Sequence, residues 1–314
     1  MLRVGAISVA VALVALASAQ APLWVYATTL ALFGLPHVLV ELRYVDQRFS
    51  GRLPRGTLLW LGAVLLGVAA LRTLAFAGAG GSLVRAELAL GVGLVAIAAP
   101  LLLARANPIG SLLAFAVAGS LLAGVVYAPL PTLVALALLH NLTPVGFLAE
   151  RLQGRARRRA LLAAAVVFFV VPTVLVSTPY LPTVVDGPFA TGELSHHLHA
   201  FVPSPWIGTT FGERLFAAAA YLQVMHYAVV LGVLPRLGGG DQRTQALAPW
   251  PRPRTFAVAV ALVTAIAAAS FAFDFASARS GYAIFAAVHA WIEIPMLLVA
   301  CALGPAAVRE VRPA

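Results

Sequence analysis

Apolar residues dominate this chain in long, nearly uninterrupted runs, and the polar residues are confined mainly to the short segments between them. Each run of about 18–22 residues can cross the ~30 Å hydrocarbon core of a bilayer as a single helix. The pattern predicts an all-α fold: a polytopic integral membrane helical bundle that forms one transmembrane domain over residues 1–314. We expect ten spans, at 2–20, 22–44, 57–78, 82–104, 109–128, 131–150, 160–179, 211–235, 255–274 and 281–303.

The longest link, residues 180–210, contains prolines, glycines and acidic residues. These residues favour an ordered or re-entrant external loop rather than another span. The first span allows two interpretations, because Arg3, an apolar run and the sequence ASAQ at 17–20 are also typical of a cleaved signal peptide. We favour a retained first helix; its cleavage would leave nine spans.

The arginines lie mostly in alternate links, which indicates orientation. Both termini and the links after the second, fourth, sixth and eighth spans are the basic segments. Such links face the cytoplasm in membrane proteins. We therefore expect an integral protein of a bacterial inner (plasma) membrane with both termini cytoplasmic. Only four arginines fall toward the other side: Arg72, Arg85, Arg214 and Arg279.

Composition agrees with a membrane protein: 61% of residues are hydrophobic, 10% are charged, and the mean hydropathy is +0.95. The net charge of +10 does not indicate nucleic-acid binding, because the basic residues, all of them arginine, are distributed among the links. The single cysteine, Cys301, lies within an apolar run and excludes an intrachain disulfide or a CxxC site. Protein partners cannot be predicted.

Four histidines interrupt the apolar spans and are the candidate metal ligands. Polar and ionisable side chains inside a bilayer are costly and usually face the bundle interior as functional groups. Each of the four belongs to a different span, the second, sixth, eighth or tenth, and these spans run in the same direction. These residues are His37, His140, His226 and His289.

Polar neighbours accompany these histidines. Glu41 and Glu293 each follow a histidine by four residues, which places each pair on one helix face. Glu293 is a candidate ligand or hydrogen-bond acceptor, whereas Glu41, beside Arg43, fits an interfacial position equally well. Asn141, Gln223 and Tyr227 are candidates to orient a ligand or dioxygen, with Tyr227 and Glu293 as the catalytic candidates.

Depth along the helices leaves open whether one site or two are formed. Counted from the external ends at ~1.5 Å per residue, His140 and His289 lie about 10–14 Å deep, and His37 and His226 lie near 22 Å. One four-histidine site and two separate layers are both compatible with these depths. A further histidine group, SHHLH at 195–199, is expected to be exposed in the loop, and Glu87 is expected to pair locally with Arg85.

The segment GLPHVLVE, residues 34–41, resembles a G-x-P-H-x-x-x-D stretch of the Brp/Blh-type membrane dioxygenases, which cleave β-carotene to retinal. The resemblance implies a polytopic helical fold and an iron-ligand role for His37. Glu41 departs from the pattern, because the family more often has aspartate there. The other three histidines match only the family's general plan of isolated histidines on separate spans.

These observations favour a membrane-embedded oxidoreductase, an oxygenase with non-haem iron held by the four histidines. Its substrate would be a lipophilic membrane lipid, carotenoid or other isoprenoid. Three alternatives remain: a b-type haem protein with axial histidines, a transporter or channel that uses the histidines as a proton or ion relay, and a purely structural protein.

Overall fold

The computed structural model describes residues 2–78, 82–104, 108–237 and 246–303. The described chain is almost entirely helical and contains one isolated β-bridge, between Asp186 and Glu193. The α-helices are α1 (Leu2–Gln20), α2 (Pro22–Phe49), α3 (Arg55–Phe76), α4 (Ser82–Ala104), α5 (Pro108–Tyr127), α6 (Pro129–His140), α7 (Thr143–Arg151), α8 (Gly154–Ala165), α9 (Val171–Ser177), α10 (Thr210–Gly232), α11 (Leu234–Leu237), α12 (Pro253–Phe273) and α13 (Phe275–Leu303).

The all-α prediction is confirmed, whereas the number of spans is not. Helix is present in each of the ten predicted spans. Within the described ranges, six helices are long and apolar enough to cross a membrane, and the count rises to seven if the bent pair α6–α7 is one span. Two further helical segments, Gly5–Gln20 and Ser111–Tyr127, are apolar but shorter. The long apolar helices indicate a membrane protein.

Several helices begin where proline or a capping side chain predicts. Pro22, Pro129 and Pro253 occupy the first turns of α2, α6 and α12, where a missing N–H costs no intrahelical hydrogen bond. Thr209 accepts a hydrogen bond from the Gly212 amide at the start of α10. Asp274 similarly accepts from the backbone amide and the hydroxyl of Ser277, so that α13 begins at Phe275.

Breaks in the helices lie beside the functional positions. Pro36 interrupts the hydrogen bonding of α2 one residue before His37. Helices α6 and α7 meet at a bend of 41°, directly after His140. Helices α8 and α9 are joined by a π-helical turn, Val166–Val170, and together form the apolar span Gly154–Ser177.

Helices α2, α10 and α13 form the centre of the bundle. Helix α2 packs against α10, α12 and α13, while α13 also packs against α3 and α4. The approach of α4 to α13 requires a glycine: a Cβ at Gly91 would lie 2.2 Å from the indole ring of Trp291. Large apolar side chains remain exposed on the outer helices, as expected for a lipid-facing surface, including Leu59, Leu112 and Leu262.

The 180–210 link folds over one end of the bundle, which we call the loop end. It contains 3-10 turns at Leu194–Ala200 and Ser204–Trp206. Leu198 and Val202 from this segment are buried in an apolar cluster with Leu23 and Tyr26 of α2. In the structure this link is therefore an ordered cover over the loop end.

At the opposite end, two polar contacts hold α2 to its neighbours. Arg48 and Glu150 of α7 form an ion pair in which both side chains are almost fully buried. The Asp46 carboxylate accepts hydrogen bonds from the amides of Leu247 and Ala248 and from Nε1 of Trp250. These contacts anchor α7 and the segment that leads into α12.

Candidate metal centre

The four intramembrane histidines lie together at the centre of the bundle, although each comes from a different helix. One ring nitrogen from each histidine can be chosen such that all of them lie within 4.8 Å of one another. The ring centroids of His140 are 4.7 Å from those of both His226 and His289, and His37 is 4.8 Å from His289. The structure therefore has one cluster, and the two-layer alternative is wrong.

The predicted depth of His289 was too small because the predicted start of the tenth span was too late. Helix α13 begins at Phe275 and not at 281, so His289 is 14 residues from its start, or about 21 Å at ~1.5 Å per residue. By the same count His37 is about 22 Å from the start of α2, and His226 is about 24 Å from the start of α10. The N-terminal cap at Asp274 was the missed sequence feature.

Glu41 and Glu293 are both fully buried within this cluster. Oε2 of Glu41 lies 2.9 Å from Nε2 of His289 and 3.6 Å from Nε2 of His226. Glu293 places Oε2 2.6 Å from Nδ1 of His140 and Oε1 3.1 Å from Nε2 of His289. The structure places Glu41 inside the site and not at an interface.

Three of the histidines have a hydrogen bond at one ring nitrogen, and in two of them that nitrogen is Nδ1. Nδ1 of His37 lies 3.1 Å from the Phe33 carbonyl, to which it can only donate. Nδ1 of His140 faces the Glu293 carboxylate in the same way. In each ring Nε2 is then left with a lone pair, which is how metal-binding histidines are usually oriented.

The other two histidines have unpaired nitrogens in spite of complete burial. Neither ring nitrogen of His226 has a hydrogen-bond partner, and Nδ1 of His289 and Oε1 of Glu41 also lack one. Buried polar atoms are nearly always paired, because leaving them unpaired costs free energy. Unpaired nitrogens and oxygens on clustered histidines and carboxylates are typical of a site that binds an ion.

The donor set fits a metal in number, and its spacing is slightly wider than one ion requires. Imidazole nitrogens bind metals such as zinc at about 2.0–2.1 Å, so ligands of one ion lie at most about 4.2 Å apart. A contraction of about 0.6 Å from the limit of 4.8 Å would satisfy this condition for the four histidines. A second overlapping group of possible ligands consists of Glu41, His226, His289 and Glu293.

Charge also favours a cation at this position. In the described part of the chain, the arginines in ion pairs contact Glu150 and Glu87, and none is paired with Glu41 or Glu293. Two buried carboxylates without an arginine partner are costly unless another positive group offsets them. A divalent metal ion or a protonated histidine would do so. The cluster can therefore hold a metal ion.

The polar neighbours occupy different positions around the cluster. The Tyr227 ring packs on His37, with centroids 4.1 Å apart and an angle of 32° between the planes. Gln223 donates to the Tyr26 carbonyl and to Oγ1 of Thr29. Asn141 donates to the Ala137 carbonyl of its own helix. Tyr227 thus contacts a cluster histidine, whereas Gln223 and Asn141 donate hydrogen bonds to groups outside the cluster.

A cavity of about 440 Å³ adjoins the cluster. His37, His140 and Tyr227 line it at the histidine cluster, and most of the remaining wall is apolar, with Leu30, Leu133 and Ile294 among its residues. Its volume lies within the range of about 300–1,000 Å³ that is typical of small-molecule sites. A lipophilic molecule could therefore lie directly beside the candidate ligands.

Polar groups in the cavity wall were not predicted from the sequence. Glu87 accepts from Arg72, over 2.8 Å, and from Nε1 of Trp291, over 2.9 Å. The expected local pair of Glu87 with Arg85 is therefore replaced by a contact between α3 and α4.

Within the SHHLH segment of the loop, residues 195–199, His196 and His199 are exposed as expected, but His197 is buried.

Comparisons of the chain with models of protein families, with curated proteins and with solved structures found no match.

Proposed function

We propose that this protein is a membrane-embedded oxidoreductase with a histidine-ligated non-haem metal, iron in the first instance, which acts as an oxygenase on a lipophilic substrate. The observation that carries the proposal is the convergence of four imidazoles, three of them buried and several of their nitrogens unpaired, beside an apolar cavity. The short resemblance to Brp/Blh-type dioxygenases at residues 34–41 supports it and makes carotenoids or other isoprenoids the first substrates to test.

The donor atoms of the cluster suit iron better than metals that prefer sulfur ligands. The cluster offers imidazole nitrogens and carboxylate oxygens without a thiolate, which suits iron, manganese or zinc. When bound with open coordination positions, iron would supply the activation of dioxygen. We place the site in a bacterial inner membrane with both termini cytoplasmic, as the arginine distribution favours.

The residues of the chain would orient the ligands and exclude water. Glu293 holds His140, and Glu41 holds His289, in the way that carboxylates fix ligand histidines in metalloproteins. Tyr227 packs on His37 and lines the cavity, where its hydroxyl is a candidate to move a proton to or from the substrate. The apolar wall would admit an isoprenoid or acyl chain while keeping bulk water out.

The geometry supports a single ion more than a haem. The axial histidines of a b-type haem must stand on opposite faces of a broad planar macrocycle. Here four rings and two carboxylates crowd around one point, so a macrocycle between any two of the histidines would overlap the others.

A proton or ion relay is the second candidate function. It is favoured by the uninterrupted series of contacts from His140 through Glu293 and His289 to Glu41. Chains of buried imidazoles and carboxylates are used as proton paths in membrane transporters. The relay requires no stoichiometric metal and predicts pH-dependent flux in liposomes, so metal analysis separates the two functions.

The test is metal analysis and an absorption spectrum of the detergent-purified protein, before and after reconstitution with Fe²⁺. We expect close to one iron per chain, no Soret band, and oxygen uptake with a carotenoid or another isoprenoid. Alanine at His37, His140, His226 or His289 should remove metal and activity together, whereas alanine at the exposed His199 should remove neither. Metal retained by all four single variants would overturn the proposal.

A further inference from the structure

The part of the cavity nearest the loop end contains a guanidinium group. Arg279, one turn into α13, lines the cavity together with Tyr26 and Phe201. Its Nη1 lies 3.0 Å from Nδ1 of His197, and its Cζ lies 6.0 Å from the centroid of the Tyr26 ring. The guanidinium therefore has a defined position at the cavity wall and not a free one in solvent.

His197 holds Arg279 from the loop side. Nε2 of His197 donates to the Thr191 carbonyl over 2.8 Å, so its Nδ1 carries the lone pair that accepts from Arg279. Burial lowers the pKa of His197, and the adjacent guanidinium lowers it further, which keeps the ring neutral. A neutral imidazole accepts one N–H from Arg279 and leaves its positive charge uncompensated.

The other cation in the cavity is neutralised, in contrast to Arg279. Arg72 forms an ion pair with Glu87, 2.7 Å between Nε and Oε2. Over the residues that the structure describes, no carboxylate lies within 4.0 Å of the Arg279 guanidinium. Guanidinium groups bind carboxylates and phosphates with two parallel hydrogen bonds, so a guanidinium without a carboxylate partner is suited to an anion.

Helix α13 connects this cation with the histidine cluster. Arg279 and His289 are ten residues apart, or about 15 Å along the helix. Along this stretch and one residue beyond it, the cavity is lined by the small side chains of Ala283, Ala286 and Ala290 and by the larger Tyr282. The three alanines are spaced by three and four residues and so lie on one helix face, which leaves a mostly apolar wall with a cation at one end and the candidate metal ligands at the other.

We propose that the cavity binds an amphipathic lipid whose anionic head, a carboxylate or a phosphate, pairs with Arg279 and whose apolar chain extends along α13 to the histidine cluster. Arg279 would thereby decide which part of the chain lies beside the ligands. The conversion of this lipid rests on the proposed function; its binding does not, because none of the residues that hold the head group belongs to the candidate metal centre.

The test measures binding of three matched probes to the full-length protein in a non-ionic detergent: dodecanoate, dodecyl phosphate and dodecan-1-ol. Metal-free protein is used first, so that the anions cannot bind to a metal. We expect one or both anions to bind more tightly than the alcohol, and the stronger of the two identifies the head group. Arg279→Gln should weaken anion binding about 10- to 100-fold and leave alcohol binding unchanged.

The control variant is Arg85→Gln, which removes an exposed arginine outside the cavity and should retain the preference for an anion. Arg279→Lys keeps the charge and should show an intermediate loss, which covers the case in which the glutamine variant does not fold. Equal binding of the alcohol and the anions, no binding of any probe, or an anion preference that survives in a folded Arg279→Gln protein would overturn the inference. Anion binding without stoichiometric metal would instead overturn the proposed function alone.

Discussion

His140 and Glu293 are 153 residues apart in the chain, and their side chains meet over 2.6 Å between Nδ1 and Oε2. His140 ends the first half of a bent helix pair, and Glu293 lies in the last long helix, so this contact joins distant parts of the bundle within the site. It also leaves Nε2 of His140 available as a ligand.

Replacement of Glu293 by glutamine tests this orientation. The amide keeps the volume but removes the carboxylate that accepts from His140, so we expect metal affinity to fall about 10- to 100-fold while the protein remains folded. Titration of metal-free protein with Fe²⁺ measures the change. Glu193→Gln, at an exposed position in the loop, is the matched control and should bind as the wild type does. Unchanged affinity in Glu293→Gln would argue against a supporting role for this carboxylate.

Substitution of Tyr227 separates its ring from its hydroxyl. Tyr227→Phe keeps the packing on His37, so we expect normal metal content but turnover lower by about 100-fold if the hydroxyl transfers a proton. Tyr227→Ala should lower both the metal content and the turnover, because it removes the packing on His37 as well as the hydroxyl. Metal content and substrate conversion measured on the same preparations distinguish these results. Full turnover in Tyr227→Phe would remove Tyr227 from the catalytic candidates.

The buried pair of Arg48 and Glu150 predicts a large effect on stability. Its side chains are 3% and 4% exposed, so Arg48→Met alone would leave a buried, unpaired carboxylate. We expect destabilisation of about 3–5 kcal/mol. The double variant Arg48→Met/Glu150→Leu should recover most of it, because neither charge remains. Thermal unfolding in detergent provides the comparison; equal losses in the single and double variants would contradict it.

The lowered pKa of His197 predicts a stability loss in mild acid. Burial is the main cause of the shift; the hydrogen bond to the Thr191 carbonyl opposes it, and the Arg279 and His196 charges add to it. Because the unfolded chain binds a proton near pH 6.5 and the folded chain only at lower pH, the unfolding free energy should fall as the pH drops below about 6.5. The fall ends once the pH is below the folded pKa.

His197→Gln isolates this contribution, because glutamine can replace both hydrogen bonds without titrating in this range. The difference in melting temperature between pH 7.5 and pH 5.5 should be smaller in the variant than in the wild type. The same comparison on metal-free protein removes any effect of ligand protonation. Equal pH dependence in the two proteins would show that His197 does not contribute.

The helices and the candidate ligands could be predicted because bilayer burial leaves few choices. Long apolar runs can only be helices, and a histidine within one has few places to go except the bundle interior. The position of Glu41 could not be predicted in this way. It lies beside Arg43, which suggested an interface, but α2 continues to Phe49 and places Glu41 about 12 Å inside its end.

The other features that could not be predicted from the sequence depend on contacts between helices. Arg43 itself is turned away from Glu41 and donates to the Pro251 carbonyl. The pairing of Glu87 with Arg72 and the burial of His197 depend on which helices are neighbours and where the 180–210 loop lies. One sequence contains no direct information on these neighbours. Capping residues are the exception, since Asp274 alone would have corrected the depth of His289.

The width of the cavity is governed by a residue that is not part of its wall. Trp291 lines the cavity, but its indole can lie where it does only because Gly91 behind it has no side chain. A single methyl group at position 91 would push the ring inward and narrow the space open to a bound lipid. The range of chains that fit could therefore change in evolution at a position that never touches them, while every candidate ligand stays the same.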